Sequence, residues 1–157
     1  MTMAEDTKIV RVRANVSGER LIGYVPLPPG EFSRLSDVLN GTEPYILIRD
    51  YETVPAPGKD LSRAILKDSI SYIEALVEPG FQRKLPEGAF QAITLSLKEP
   101  AVTLMGELFV PQQATAMDVF NDDRRFINLR NVGFRDSVET YGFLAVGKTQ
   151  AHSIELS

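Results

Sequence analysis

Leu35-Ser36-Asp37-Val38-Leu39-Asn40, followed by the apolar run Tyr45-Ile46-Leu47-Ile48 and closed by Arg49-Asp50, returns later in the chain in altered form. The second copy reads Ala116-Met117-Asp118-Val119-Phe120-Asn121, then Phe126-Ile127-Asn128-Leu129, then Arg130-Asn131. This recurrence decides how the fold is read. Asp37 and Asp118, Asn40 and Asn121, Arg49 and Arg130, Lys67 and Lys148, and Ile73-Glu74 and Ile154-Glu155 are all separated by 81 positions. Upstream, Gly23 and Gly106, and Pro28 and Pro111, are separated by 83, so the loop that follows is two residues shorter in the second copy. Apolar residues recur by chance, but a constant offset linking Asp, Asn, Arg and Lys does not. The chain reads as an internal duplication.

Working outward, Lys8 to Val16 alternates Val10, Val12, Ala14 and Val16 with Arg11, Arg13 and Asn15, the period-two pattern of a half-buried strand. Ser17-Gly18-Glu19 is a hairpin turn, and Arg20 to Leu27 is a second strand whose interior Gly23 marks a bulge or bend. Pro28-Pro29-Gly30 ends it, and Ser33 is placed to cap a short helical turn carrying Leu35, Val38 and Leu39. Tyr45 to Tyr51 is a third strand and Val54 to Asp60 an exposed loop. Leu61 to Leu66 and Ser69 to Val77 complete five strands around a polar turn at Lys67-Asp68. The pattern then restarts, with Gly106 inside the second strand of the second copy.

These readings predict a mainly β protein of two tandem five-stranded SH3/Sm-like small barrels, each with a short helical turn before strand three. The first repeat spans 8–78, a linker rich in Pro and Gly spans 79–88, and the second repeat spans 89–157.

A chain of 157 residues with 43% hydrophobic and 24% charged residues can bury a real core. No apolar run approaches the roughly 20 residues that cross a bilayer, and the first residues have no basic then apolar leader, so no membrane partner is expected and the expected location is the cytoplasm. With no cysteine there is no disulfide, thiolate metal site or cysteine nucleophile. The single His152 lies in a strand-like segment, where a plain surface role outweighs a general base. No phosphate-binding loop, dinucleotide fingerprint, nucleophile elbow or zinc-protease sequence is present. No catalytic, cofactor or metal residue is therefore assigned, and the chain is not expected to be an enzyme. The net charge of −4 offers no overall attraction for a polyanion.

Gly23 followed by Asp37 and Asn40, with Lys67-Asp68-Ser69-Ile70-Ser71-Tyr72-Ile73-Glu74 leading into strand five, resembles the Sm-like fold. Gly106, Asp118 and Asn121, then Lys148 to Ile154, offer the same elements again. The Asp and Asn are three apart where that family has four, and no glycine follows either lysine. The stretch is also similar to bacterial domains with an Arg-Leu-Ser-Asp-x-Leu-Asn signature. The resemblance implies candidate RNA or ligand contacts at Asp37, Asn40, Lys67, Asp118, Asn121 and Lys148. Capping of the turn by the same Asp and Asn side chains is the competing reading.

Small open barrels also leave strand edges available for pairing. Ile70, Tyr72, Ile73 and Leu76, and in the second copy Ile154 and Leu156, are the candidate edge interface. The expectation is a non-catalytic adaptor or scaffold of a bacterial cytoplasm with a protein partner or other copies of itself, the alternative being a single-stranded RNA-binding protein. Asp122-Asp123-Arg124-Arg125 reads as a solvated loop rather than a metal site.

Overall fold

The computed structural model describes residues 8–29, 34–53, 62–77 and 86–156. β1 (Lys8–Val16) and β2 (Glu19–Leu27) form a hairpin. Its turn residues Ser17 and Gly18 both have positive φ, the backbone that matches the twist of paired strands. A single helical turn, α1 (Leu35–Leu39), precedes β3 (Tyr45–Thr53) and β4 (Ser62–Leu66), and a 3-10 turn over Lys67–Ser69 leads into β5 (Ile70–Val77). The second half repeats the order with β6 (Gly88–Leu97), β7 (Thr103–Pro111), α2 (Ala116–Phe120), β8 (Phe126–Phe134) and β9 (Thr140–Gly147). A 3-10 turn over Lys148–Gln150 and β10 (Ala151–Leu156) complete it.

The strands sit close to where alternation puts them, because one face of each must be covered. Val10, Val12 and Ala14 point inward while Arg11 and Arg13 are exposed, and Ile93, Leu95 and Leu97 repeat this in β6. The glycines act as expected: Gly23 lies opposite Val12 and Gly106 opposite Ile93. The register onto the next strand slips between Ile22 and Tyr24, and between Met105 and Glu107, so each second strand is bulged at its glycine.

Where the sequence predicts two separate barrels, the hydrogen bonding gives one antiparallel ten-stranded sheet that does not close, in the order β10-β6-β7-β8-β9-β5-β1-β2-β3-β4. Each half keeps the same internal strand order, and the halves are continuous through β5 and β9. The physical reason is edge satisfaction: unpaired edges of β5 and β9 would leave rows of backbone donors and acceptors beside apolar side chains. Each half has its own apolar cluster, one around Val12, Leu21 and Ile48, the other around Leu95, Leu104 and Leu129. Each such side chain, fully buried, contributes about 1.5–3 kcal/mol.

The Val54–Asp60 loop, the cap at Ser33 and most of the 79–88 linker lie outside the described residues. Gly88, placed in the linker by the sequence, is the first residue of β6. The cap of α1 in the structure is Arg34.

Candidate functional site

The place where sequence-singled residues converge is the junction of the two halves. β5 pairs antiparallel with β9, Tyr72 opposite Val146 and Ile73 opposite Ala145. Ile70 and Ile73 are fully buried there. The packing interdigitates, since Phe126 and Ala145 of the second half belong to the first half's core, while Tyr72 packs against the second. The Tyr72 ring lies 5.1 Å from that of Phe134, which is 5.6 Å from Tyr141. Burial and a hydrogen bond to Glu139 push the Tyr141 hydroxyl up to about 12, so it stays a neutral donor to that carboxylate.

Gly147 admits this approach: a Cβ there would collide with the backbone carbonyl oxygen of Ile70.

Polar contacts tie the same seam. The Phe126 amide donates to Asn40 Oδ1 at 2.9 Å. Thr149 Oγ1 and Gln150 Nε2 donate to the Asp68 carbonyl at 2.8 and 2.9 Å, and Arg125 pairs with the Asp68 carboxylate at 3.1 Å. The buried Ser71 hydroxyl donates to the Glu99 carbonyl in the β6–β7 turn. These bonds matter less for raw stability than for register, because each sets one atom of one half against one atom of the other.

The six candidate contacts divide by role. Asp37 accepts from the Arg34 amide at 2.9 Å and Asp118 from the Thr115 amide at 2.8 Å, so both close the first turn of their helices. Lys67 is only 2% exposed, and its Nζ donates to Val38 O at 2.6 Å and Gly41 O at 3.3 Å. Lys148 does the same at Val119 O and Asp122 O, at 3.2 and 3.1 Å, and adds the Asp122 carboxylate at 2.6 Å. Both lysines thus cap the C-terminal carbonyls of a helical turn, where a cation is favoured. Burial, reinforced by Arg125, lowers the Lys67 pKa. Burial raises the Asp122 carboxyl, but hydrogen bonds from Arg124 and Lys148 outweigh it and hold the group at about 2. Asp37 and Lys67 border a shallow groove between β2, α1 and β3. Asn40 is at the junction; its counterpart Asn121 is exposed.

Of the candidate edge residues, Ile70, Tyr72 and Ile73 meet β9, and Leu76 is half-buried farther along β5. Ile154 and Leu156 lie on β10, one end of the sheet, with Leu156 45% exposed; His152 is exposed on the same strand. At the other end is β4. Among the described residues neither β4 nor β10 has a neighbour on its outer side. Beside β4 the outward face carries Tyr45, Leu47, Ala64 and Leu66, paired across the strands as Tyr45 with Leu66 and Leu47 with Ala64. Sequence reasoning missed this patch. Its signal was in the copies, since Tyr45 aligns with Phe126 and Leu66 with Gly147. The Asp122–Arg125 run is engaged in ion pairs with Lys148 and Asp68, and no cluster of three metal-ligating side chains occurs among the described residues.

No protein-family model matches the chain, and comparison with curated proteins and with solved structures returned no match.

Proposed function

We propose that this is a non-catalytic assembly or adaptor protein, a duplicated pair of Sm/SH3-like small-barrel units that works through its open sheet edges. One observation carries the reading: the chain already uses a strand-edge junction, β5 on β9, to hold its halves together, and among the described residues a further strand edge is open at each end of the sheet. An open edge beside an apolar face is a template for another strand, because main-chain hydrogen bonds supply attraction and side chains supply register.

The RNA alternative draws less support. Lys67 and Lys148 spend their ammonium groups on helix carbonyls, Asn40 is engaged by Phe126, and the net charge is −4.

The experiment is a native mass spectrum of the protein isolated gently from its own cell. A mass above that of one chain, with protein as the added component, is expected. Recovery only as a single chain overturns the reading, and co-purifying RNA lost on adding salt replaces it with the alternative.

A further inference from the structure

Building on the edge-association reading, we propose that the partner at both edges is a second copy of this chain, with β10 of one copy lying antiparallel against β4 of the next. The argument is correspondence. At the 81-residue offset, β10 is the counterpart of β5 and β4 is the counterpart of β9, so the two open edges are the two faces of the internal junction, found unjoined. Transferring the observed pairs sets Ser153 opposite Ile65 of the second copy and Ile154 opposite Ala64. Continuing that register one step puts Glu155 opposite Arg63, where it would add a second carboxylate across the strand pair to an arginine that already pairs with Glu19 at 3.1 Å.

Exposure follows the same correspondence. Phe126 is 1% exposed because the first half covers it; Tyr45, in the equivalent place beside β4, is 55% exposed. Ala145 is buried and Ala64 exposed. Ile73 is fully buried and Ile154 half-buried. Asn121, the counterpart of the Asn40 that holds the Phe126 amide, is exposed and aligned to hold the Tyr45 amide of the second copy.

The outer joint is not a replica. Leu66 stands where Gly147 admits the Ile70 carbonyl, so the strands must part at that end. Pro44 and Thr149 stand where Arg125 and Asp68 form their ion pair. The joint between copies is therefore the looser of the two, and it forms and dissolves with concentration while the internal one persists. Being heterologous, it propagates into a ring or a filament.

The test uses the recombinant chain alone, weighed by sedimentation velocity from low to high micromolar concentration. Species heavier than one chain are expected to grow with concentration. Ala64→Asp blocks only the β4 edge and Ser153→Asp, at an exposed position that the register sets opposite Ile65, only the β10 edge. Each variant is expected to be a single chain with an unchanged circular dichroism spectrum, and an equimolar mixture to give a dimer and nothing larger. Because the protein has no cysteine, Ala64→Cys and Ile154→Cys in one chain should give an oxidised ladder that neither single variant gives. A wild-type chain that stays single, a mixture that stays single, or either variant dimerising alone overturns the proposal. If the recombinant chain is single while the native isolate carries a different protein, only this inference fails and the edge-association reading stands.

Discussion

The two halves share a strand order and a capping lysine, yet they differ where they meet. Lys148 has a hydrogen bond to the Asp122 carboxylate, while Lys67, more deeply buried, donates to carbonyls and feels the Glu43 carboxylate only through its charge, because residue 41 is glycine where residue 122 is aspartate. Gly147 lies against a neighbouring strand, and its counterpart Leu66 lies at an open edge. Asn40 is bonded across the junction and Asn121 faces solvent. The shared residues build each half. The divergent ones record which surface is covered, so divergence between copies locates the interface.

The comparison is broken most severely at Gly147. Gly147→Leu copies the β4 sequence into the junction and drives a side chain into the Ile70 carbonyl, so a loss of about 3 kcal/mol or more in urea unfolding is expected, whereas Leu66→Gly should move the midpoint far less. Next come the lysines. Lys67→Met takes the ammonium away from both carbonyls, leaving the Gly41 amide on Val38 O, and should cost about 1–3 kcal/mol, with Lys148→Met nearer the low end because its side chain is 16% exposed. Equal losses would show that depth of burial does not distinguish the two caps.

Asn40→Ala should cost about 1 kcal/mol and speed hydrogen exchange at the Phe126 amide, with Asn121→Ala near neutral in the single chain. The smallest effect is acidic. Asp122 falls from 3.8 to about 2 on folding, so its contribution is complete above about 4 and is lost as pH drops toward 2. A urea series across that range should show Asp122→Asn lacking part of the wild-type slope.

The fold was legible wherever a strand has one wet and one dry face, which is why β1 falls where alternation sets it. The bulges were legible through Gly23 and Gly106, since a glycine inside a strand has few other uses. Pairing of β5 with β9 was not, because alternation reports which face is buried and says nothing about which strand lies alongside. Lys67 was misleading for a related reason: a lysine in a turn looks solvated, and only the arriving carbonyls of Val38 and Gly41 make it a buried cap. Phe126 shows the same limit, its pattern placing it inside without saying whose inside it joins.

That Phe126 and Ala145 complete the first half's core has a consequence for the order of events at the ribosome. The first half can pair its own five strands once Val77 has emerged, but its β5 edge waits for β9. The roughly 70 residues between Val77 and Val146 take on the order of 3 to 14 seconds to make at about 5–20 residues per second. Throughout that interval Ile70 and Ile73 sit on an unpaired strand edge, and neighbouring nascent chains on one message carry the same edge. Slowing translation within the second half should raise aggregation of the full-length product, while the same delay placed after Val146 should not.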